Sequence, residues 1–120
     1  MARALSLDPE PYVPKADESL PEAERTTFYM KNLSHQKWGA LMRDIGGKDG
    51  DSINLAGTAA SEILKTSLTG WDNFLDGWGN PIAWEKSIDA NLNRIPAGLR
   101  MELALEVINR NGVSEALEKN

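Results

Sequence analysis

Hydrophobic residues recur at helical spacing in four stretches of this chain and alternate in one. The alternating stretch, residues 26–32, reads Thr-Thr-Phe-Tyr-Met-Lys-Asn. Phe28 and Met30 interleave with Tyr29 and Lys31 behind two β-branched threonines, which predicts a short strand. Ser34 then offers an N-cap oxygen to a helix of about ten residues. Trp38, Leu41, Met42 and Ile45 share one face of it, and Gly46-Gly47 ends it. Lys48-Asp49-Gly50-Asp51 reads as a polar loop. The second helical run covers 53–68, with Ala56, Ala59, Ala60, Ile63, Leu64 and Ser67 on one face and Gly70 as its stop. Its small alanines predict the close approach of another helix, although Gly57 weakens it by about 1 kcal/mol relative to Ala. A short helix over 86–95 carries Ile88, Leu92 and Ile95. Pro96 breaks from it and suits the first turn of a longer helix over 97–110. Leu99, Leu103, Ala104, Leu105, Val107 and Ile108 give that last helix a wide apolar stripe, so it reads as the central core helix. Asn111-Gly112 closes it, and Ser114 caps a final turn with Ala116 and Leu117.

Two stretches do not follow the helical pattern. Pro9, Pro11, Pro14 and Pro21 stand in the first 21 residues, and proline fixes φ and lacks a donor, which bars a regular helix or a central strand. Residues 1–25 therefore read as an extended, Pro-rich arm. Six acids and three bases make it acidic, and Leu5, Leu7, Tyr12, Val13 and Leu20 are its apolar anchors. Such an arm is either a loose tail or a strap that docks on a neighbouring subunit. Residues 71–84 hold three of the four tryptophans among strong turn signals, Asp76-Gly77 and Gly79-Asn80-Pro81. This segment reads as a hairpin-like loop. Trp71 and Trp84 plug the core, and Trp78, between two glycines at the tip, faces out with Phe74 beside it.

These elements predict a mainly α fold. It is a small helical domain of four to five helices over 26–120, with a short N-terminal strand, a Trp-rich hairpin-like loop and the extended arm over 1–25. The chain has 120 residues and no internal repeat, consistent with one such domain.

Composition narrows the chemistry. The absence of cysteine excludes disulfides, thiolate metal sites and a cysteine nucleophile, and a single histidine excludes a multi-histidine metal centre. A net charge of −5 argues against sequence-independent nucleic-acid binding. The aromatic segment carries Asp72, Asp76 and Glu85 against Lys86, a charge balance that repels phosphate. No apolar run approaches the ~18–20 residues that span a bilayer, and Met1–Leu7 is too short for a signal sequence before Asp8-Pro9 interrupts it. Catalytic templates fail in turn. A calcium loop starting at Asp72 would have Phe74 at its third position and Ala83 at its twelfth, where acids are needed. Ser34 and His35 are sequence neighbours with no acid placed to orient them, and His35 reads as solvated. Glu102 and Glu106, spaced i,i+4, read as a solvated face of the last helix. No catalytic residue, cofactor or metal is expected.

Gly70-Trp71-Asp72-Asn73-Phe74, then Asp76-Gly77, Gly79-Asn80-Pro81-Ile82, Ile95-Pro96, Arg100, Glu102-Leu103-Ala104 and the closing Leu117-Glu118-Lys119-Asn120 resemble a group of small tailed-phage morphogenesis proteins, among them tail assembly chaperones. Leu20-Pro21-Glu22 through Arg25-Thr26-Thr27-Phe28 fits the way such proteins open, so the resemblance spans roughly residues 20–120. It implies a non-enzymatic role: coating an apolar tape-measure protein and recruiting tail-tube subunits in the host cytoplasm, as a possible homo-oligomer. Two alternatives stay open. One is a structural component of the virion, at the neck or tail, whose arm docks on neighbours. The other is a small acidic inhibitor of a host protein. The candidate partner-binding residues are Trp78, Phe74, Tyr12, Val13, Leu5 and Leu7.

Overall fold

A computed structural model describes residues 7–45 and 59–111 of the chain. Strand β2 (Thr27–Met30) forms where the alternation predicts it, burying Phe28 and Met30 and leaving Thr27 and Tyr29 partly exposed. It does not stand alone. β1 (Glu10–Tyr12) pairs with it antiparallel on one side, with Glu10 opposite Met30, Pro11 opposite Tyr29 and Tyr12 opposite Phe28. β3 (Leu68–Asp72) pairs antiparallel on the other side, giving the order β1-β2-β3. Four α-helices lie beside this sheet among the described residues, so the domain is α+β, and the mainly α expectation is overturned.

Both unpredicted strands hid behind a misread residue. The prolines of the arm bar a central strand, but β1 lies at the sheet edge, where a missing N–H leaves no partner wanting. Gly70 reads as a helix stop, yet the helix ends at Ser67 and Gly70 lies within β3, opposite Tyr29. Thr69 is an extra residue there, because Tyr29 faces Gly70 while Met30 faces Leu68. This bulge puts Leu68 and Trp71, three residues apart, on the same buried side and destroys the period-two signal. The Thr69 hydroxyl donates to the Tyr29 carbonyl at 3.0 Å and pins the bulge.

The described part of the arm, residues 7–25, lies against its own body. After β1, two single 3-10 turns, Lys15–Asp17 and Glu22–Glu24, are each entered by a proline, Pro14 and Pro21, with the same extended φ and ψ. Asp17 accepts the Thr26 N–H at 2.8 Å, and Arg25 reaches back to the carbonyls of Leu20 and Glu18 at 2.7 and 2.9 Å. These bonds carry the chain round into β2.

Helix α1 (His35–Ile45) starts at the Ser34 cap, whose hydroxyl oxygen accepts the Lys37 N–H at 3.3 Å. α2 (Ala59–Ser67) buries Ala59, Ala60, Ile63, Leu64 and Ser67, and its small residues let it lie close against α4 (Ala97–Arg110). α3 (Ile88–Leu92) is capped by Ser87, which accepts from the Ala90 N–H. One core joins the layers: Phe28 and Met30 of the sheet, Ile63 and Leu64 of α2, and Leu103 and Val107 of α4 are all but inaccessible to solvent. Each such side chain contributes about 1.5–3 kcal/mol through burial. Gly46-Gly47, the loop 48–51, Ala56 and Gly57, Gly112 and the turn after Ser114 fall outside the described residues.

Candidate protein-binding site

Residues 73–85 leave the end of β3, cross the rim of the core and return to α3. Asn73 ends the strand with a left-handed φ of 55°, a conformation that asparagine tolerates. The chain then folds as a narrow hairpin. Ile82 N–H donates to the Phe74 carbonyl at 2.8 Å, Leu75 bridges Pro81, and Asp76 N–H donates to the Asn80 carbonyl at 2.9 Å. At the tip the Asp76 carboxylate accepts the N–H groups of Trp78 and Asn80 at 2.8 and 2.9 Å, and Gly79 N–H closes onto the Asp76 carbonyl. Gly79 has φ +83°, which its missing Cβ permits at no steric cost. The Asn80 and then the Trp78 backbone N–H hold the Asp76 carboxyl below its usual range.

The base of the hairpin is aromatic. Trp71 packs edge-on against Phe28, Phe74 and Trp84, with ring centroids 6.2, 4.9 and 4.8 Å away, and its indole N–H donates to the Ile82 carbonyl at 2.7 Å. Such pairs add about 0.5–1.5 kcal/mol each beyond area burial. Asn91, 1 % exposed, fastens the returning strand: its side-chain amide takes the Glu85 N–H at 2.8 Å and donates to the Glu85 carbonyl at 2.9 Å. The hairpin is thus pinned at base, rungs and tip, and it carries Trp78 with 90 % of its surface in solvent. Leu75, 42 % exposed, stands beside the tip. Two clefts flank the hairpin. One, of about 450 Å³, runs beneath its returning strand to α3; the other, of about 400 Å³, separates it from Asn93, Arg94 and Pro96 ahead of α4.

The six candidate residues are divided among separate places. Trp78 and Phe74 belong to this hairpin, but Phe74 is half-buried in the aromatic base, 5.2 Å from Phe28. Tyr12 is held by α4, its hydroxyl donating to Glu102, and Val13 beside it is half-buried. Leu7 is exposed at the start of α1, lining a cleft with Lys31, Asn32, Leu33, Ser34 and Lys37. Leu5 lies outside the described residues.

Several residues that hold the fold or build the site carried no clear signal. Glu102 and Glu106 do not form a solvated face. Glu102 accepts from Tyr12 and from the Lys15 N–H, and Glu106 accepts from Arg110 at 2.7 Å. Asp76 was legible as a turn former, though not as the acceptor of two amides. Asn91 and Arg94 sat unnoticed in a helical run. Among the described residues no group of three His, Asp or Glu side chains could hold a metal ion, and no helix is long and apolar enough to cross a membrane. Compared with protein-family models, with curated proteins and with solved structures, the chain matches none.

Proposed function

We propose that the protein is a non-enzymatic morphogenesis protein of a tailed phage. It assists tail assembly in the host cytoplasm by gripping a tape-measure or tail-tube protein with the Trp78 hairpin. The observation that carries the binding role is the indole of Trp78, which stands 90 % exposed on a loop whose backbone is already hydrogen-bonded in place. A tryptophan offers roughly 200 Å² of burial, and such anchors dominate interface energies when a partner pocket desolvates them. Because the loop is ordered beforehand, association loses less conformational entropy on contact. The sequence resemblance to tail assembly chaperones supplies the biological setting, and the negative net charge keeps a client-binding protein soluble.

Co-expression with the tape-measure protein or the tail-tube protein encoded beside it tests the reading. Co-purification with one of them, lost in Trp78→Ala, is the expected result. Failure of both to co-purify with the wild-type protein would refute the role. A chaperone also leaves the finished particle, so mass spectrometry of mature virions should detect it at most in traces.

A further inference from the structure

The outer face of α4 is apolar where a solvated helix carries its charges. Gly98, Met101, Leu105 and Asn109 follow one another along the side opposite the buried Leu103, Ala104 and Val107. Met101 and Leu105 keep 41 and 48 % of their surface exposed, and a Cβ added at Gly98 would meet nothing within 4 Å. The charged residues of α4 are Arg100, Glu102, Glu106 and Arg110, and all are bonded within the chain. Arg100 donates to the Leu92 carbonyl, Glu102 accepts from Tyr12, and Arg110 joins Glu106 to the Pro11 carbonyl.

The size of this stripe decides among its occupants. Two half-exposed side chains and a glycine offer far less than the ~1,200 Å² buried between stable partners, so a second copy or a client protein is not held there alone. A segment already joined to α4 loses only the closure entropy of a short loop. Residues 112–120 are such a segment. They continue from Asn111, whose side chain donates to the Val107 carbonyl and accepts the Leu33 N–H, so their starting point is fixed. Gly112 suits a reversal of the chain after a helix. Val113, Ala116 and Leu117 then recur at i, i+3 and i+4, apart from the charged Glu115, Glu118 and Lys119. Leu117 follows Asn111 by as many residues as Leu105 precedes it. At 1.5 Å per residue Leu105 lies about 9 Å back along α4, well within the reach of that stretch of chain. We propose that residues 112–120 fold back along the outer face of α4 and cover Met101 and Leu105 with Val113, Ala116 and Leu117. The C-terminal segment is then a strap on its own domain rather than an arm for a neighbour.

Methyl-labelled full chain reads the contact directly. Nuclear Overhauser cross-peaks should join the Leu117 methyls to those of Leu105 or to the Met101 methyl. Absence of these cross-peaks, or their appearance between Leu117 and another part of the domain, overturns the proposal. So do cross-peaks found only between differently labelled copies in a mixed sample, which would make a second copy the occupant. This measurement needs no variant. A second one uses the absence of cysteine, which lets Met101→Cys place a single thiol on the stripe. Its alkylation by iodoacetamide should be at least fivefold slower than in the same chain carrying Leu117→Ser, and Leu117→Met should keep it slow. Equal rates with and without Leu117→Ser count against the strap.

Discussion

The Tyr12 hydroxyl donates a 2.6 Å hydrogen bond to the carboxylate of Glu102, 90 residues further along the chain. The same carboxylate oxygen accepts the Lys15 N–H at 2.9 Å. One turn on, Glu106 accepts from Arg110, which donates to the Pro11 carbonyl at 2.9 Å and lies 6.0 Å from the centre of the Tyr12 ring. β1 and the turn after it are thus fastened to α4.

This fastening is sensitive to alkali. Burial, reinforced by the hydrogen bond to Glu102 and its charge, pushes the Tyr12 phenol well above its ordinary value. A group whose pKa is raised on folding stabilises below its unfolded value, about 10 for tyrosine, and loses that contribution as the pH rises beyond it. Urea unfolding at pH 8 and pH 11 should therefore show a marked drop in stability at the higher pH. Tyr12→Phe should be less stable at pH 8 and show a smaller drop. Some drop should remain, because Asp72 raises the pKa of Tyr29 through a second hydrogen bond.

Trp71 and Trp78 should respond oppositely to truncation. Trp71→Ala removes the centre of the aromatic base and should cost about 3–5 kcal/mol. Trp78→Ala removes nothing the fold uses and should stay within about 0.5 kcal/mol of wild type. Chemical denaturation of the two variants decides this, and equal destabilisation would mean that the tip packs on the body.

Asp76 should titrate below the usual aspartate range. Its contribution to the hairpin is complete above the ordinary value of about 3.9 and disappears as the pH falls through the lowered one. The amide proton signals of Trp78 and Asn80 should move together in that acid transition. In Asp76→Ala both should lose their downfield shift at neutral pH, and partner binding should weaken although the core stays intact.

Asn91→Ala leaves the backbone N–H and carbonyl of Glu85 without their partner and should cost about 1–3 kcal/mol. Asn91→Asp should be the worse change, since it keeps the acceptor but sets a carboxylate against the Glu85 carbonyl. Thermal unfolding of the two variants at neutral pH gives the order.

What the sequence disclosed follows from the range of each signal. β2 and α4 form at the residues that local periodicity marks, because the pattern and the burial come from the same few neighbours. The outward Trp78 was readable for the same reason, since flanking glycines and turn formers act within four residues. β3 escaped because the bulge at Thr69 and the glycine at 70 break the alternation within five residues. β1 escaped because proline is disfavoured in sheets except at an edge, and whether a strand is an edge is a property of the whole fold. Glu102 and Glu106 looked solvated because acids at i,i+4 usually are; Glu102 finds its partners, Tyr12 and Lys15, at the other end of the chain, and Glu106 holds Arg110, which reaches the Pro11 carbonyl.

Pro11 sits in the middle of β1, with no N–H to donate and with its carbonyl already held by Arg110. A strand from another molecule arriving along that border would meet no donor where the pairing must begin and an acceptor already engaged. The sheet is closed to growth on that side, so crowded copies cannot zip together through β1 into a continuous ribbon.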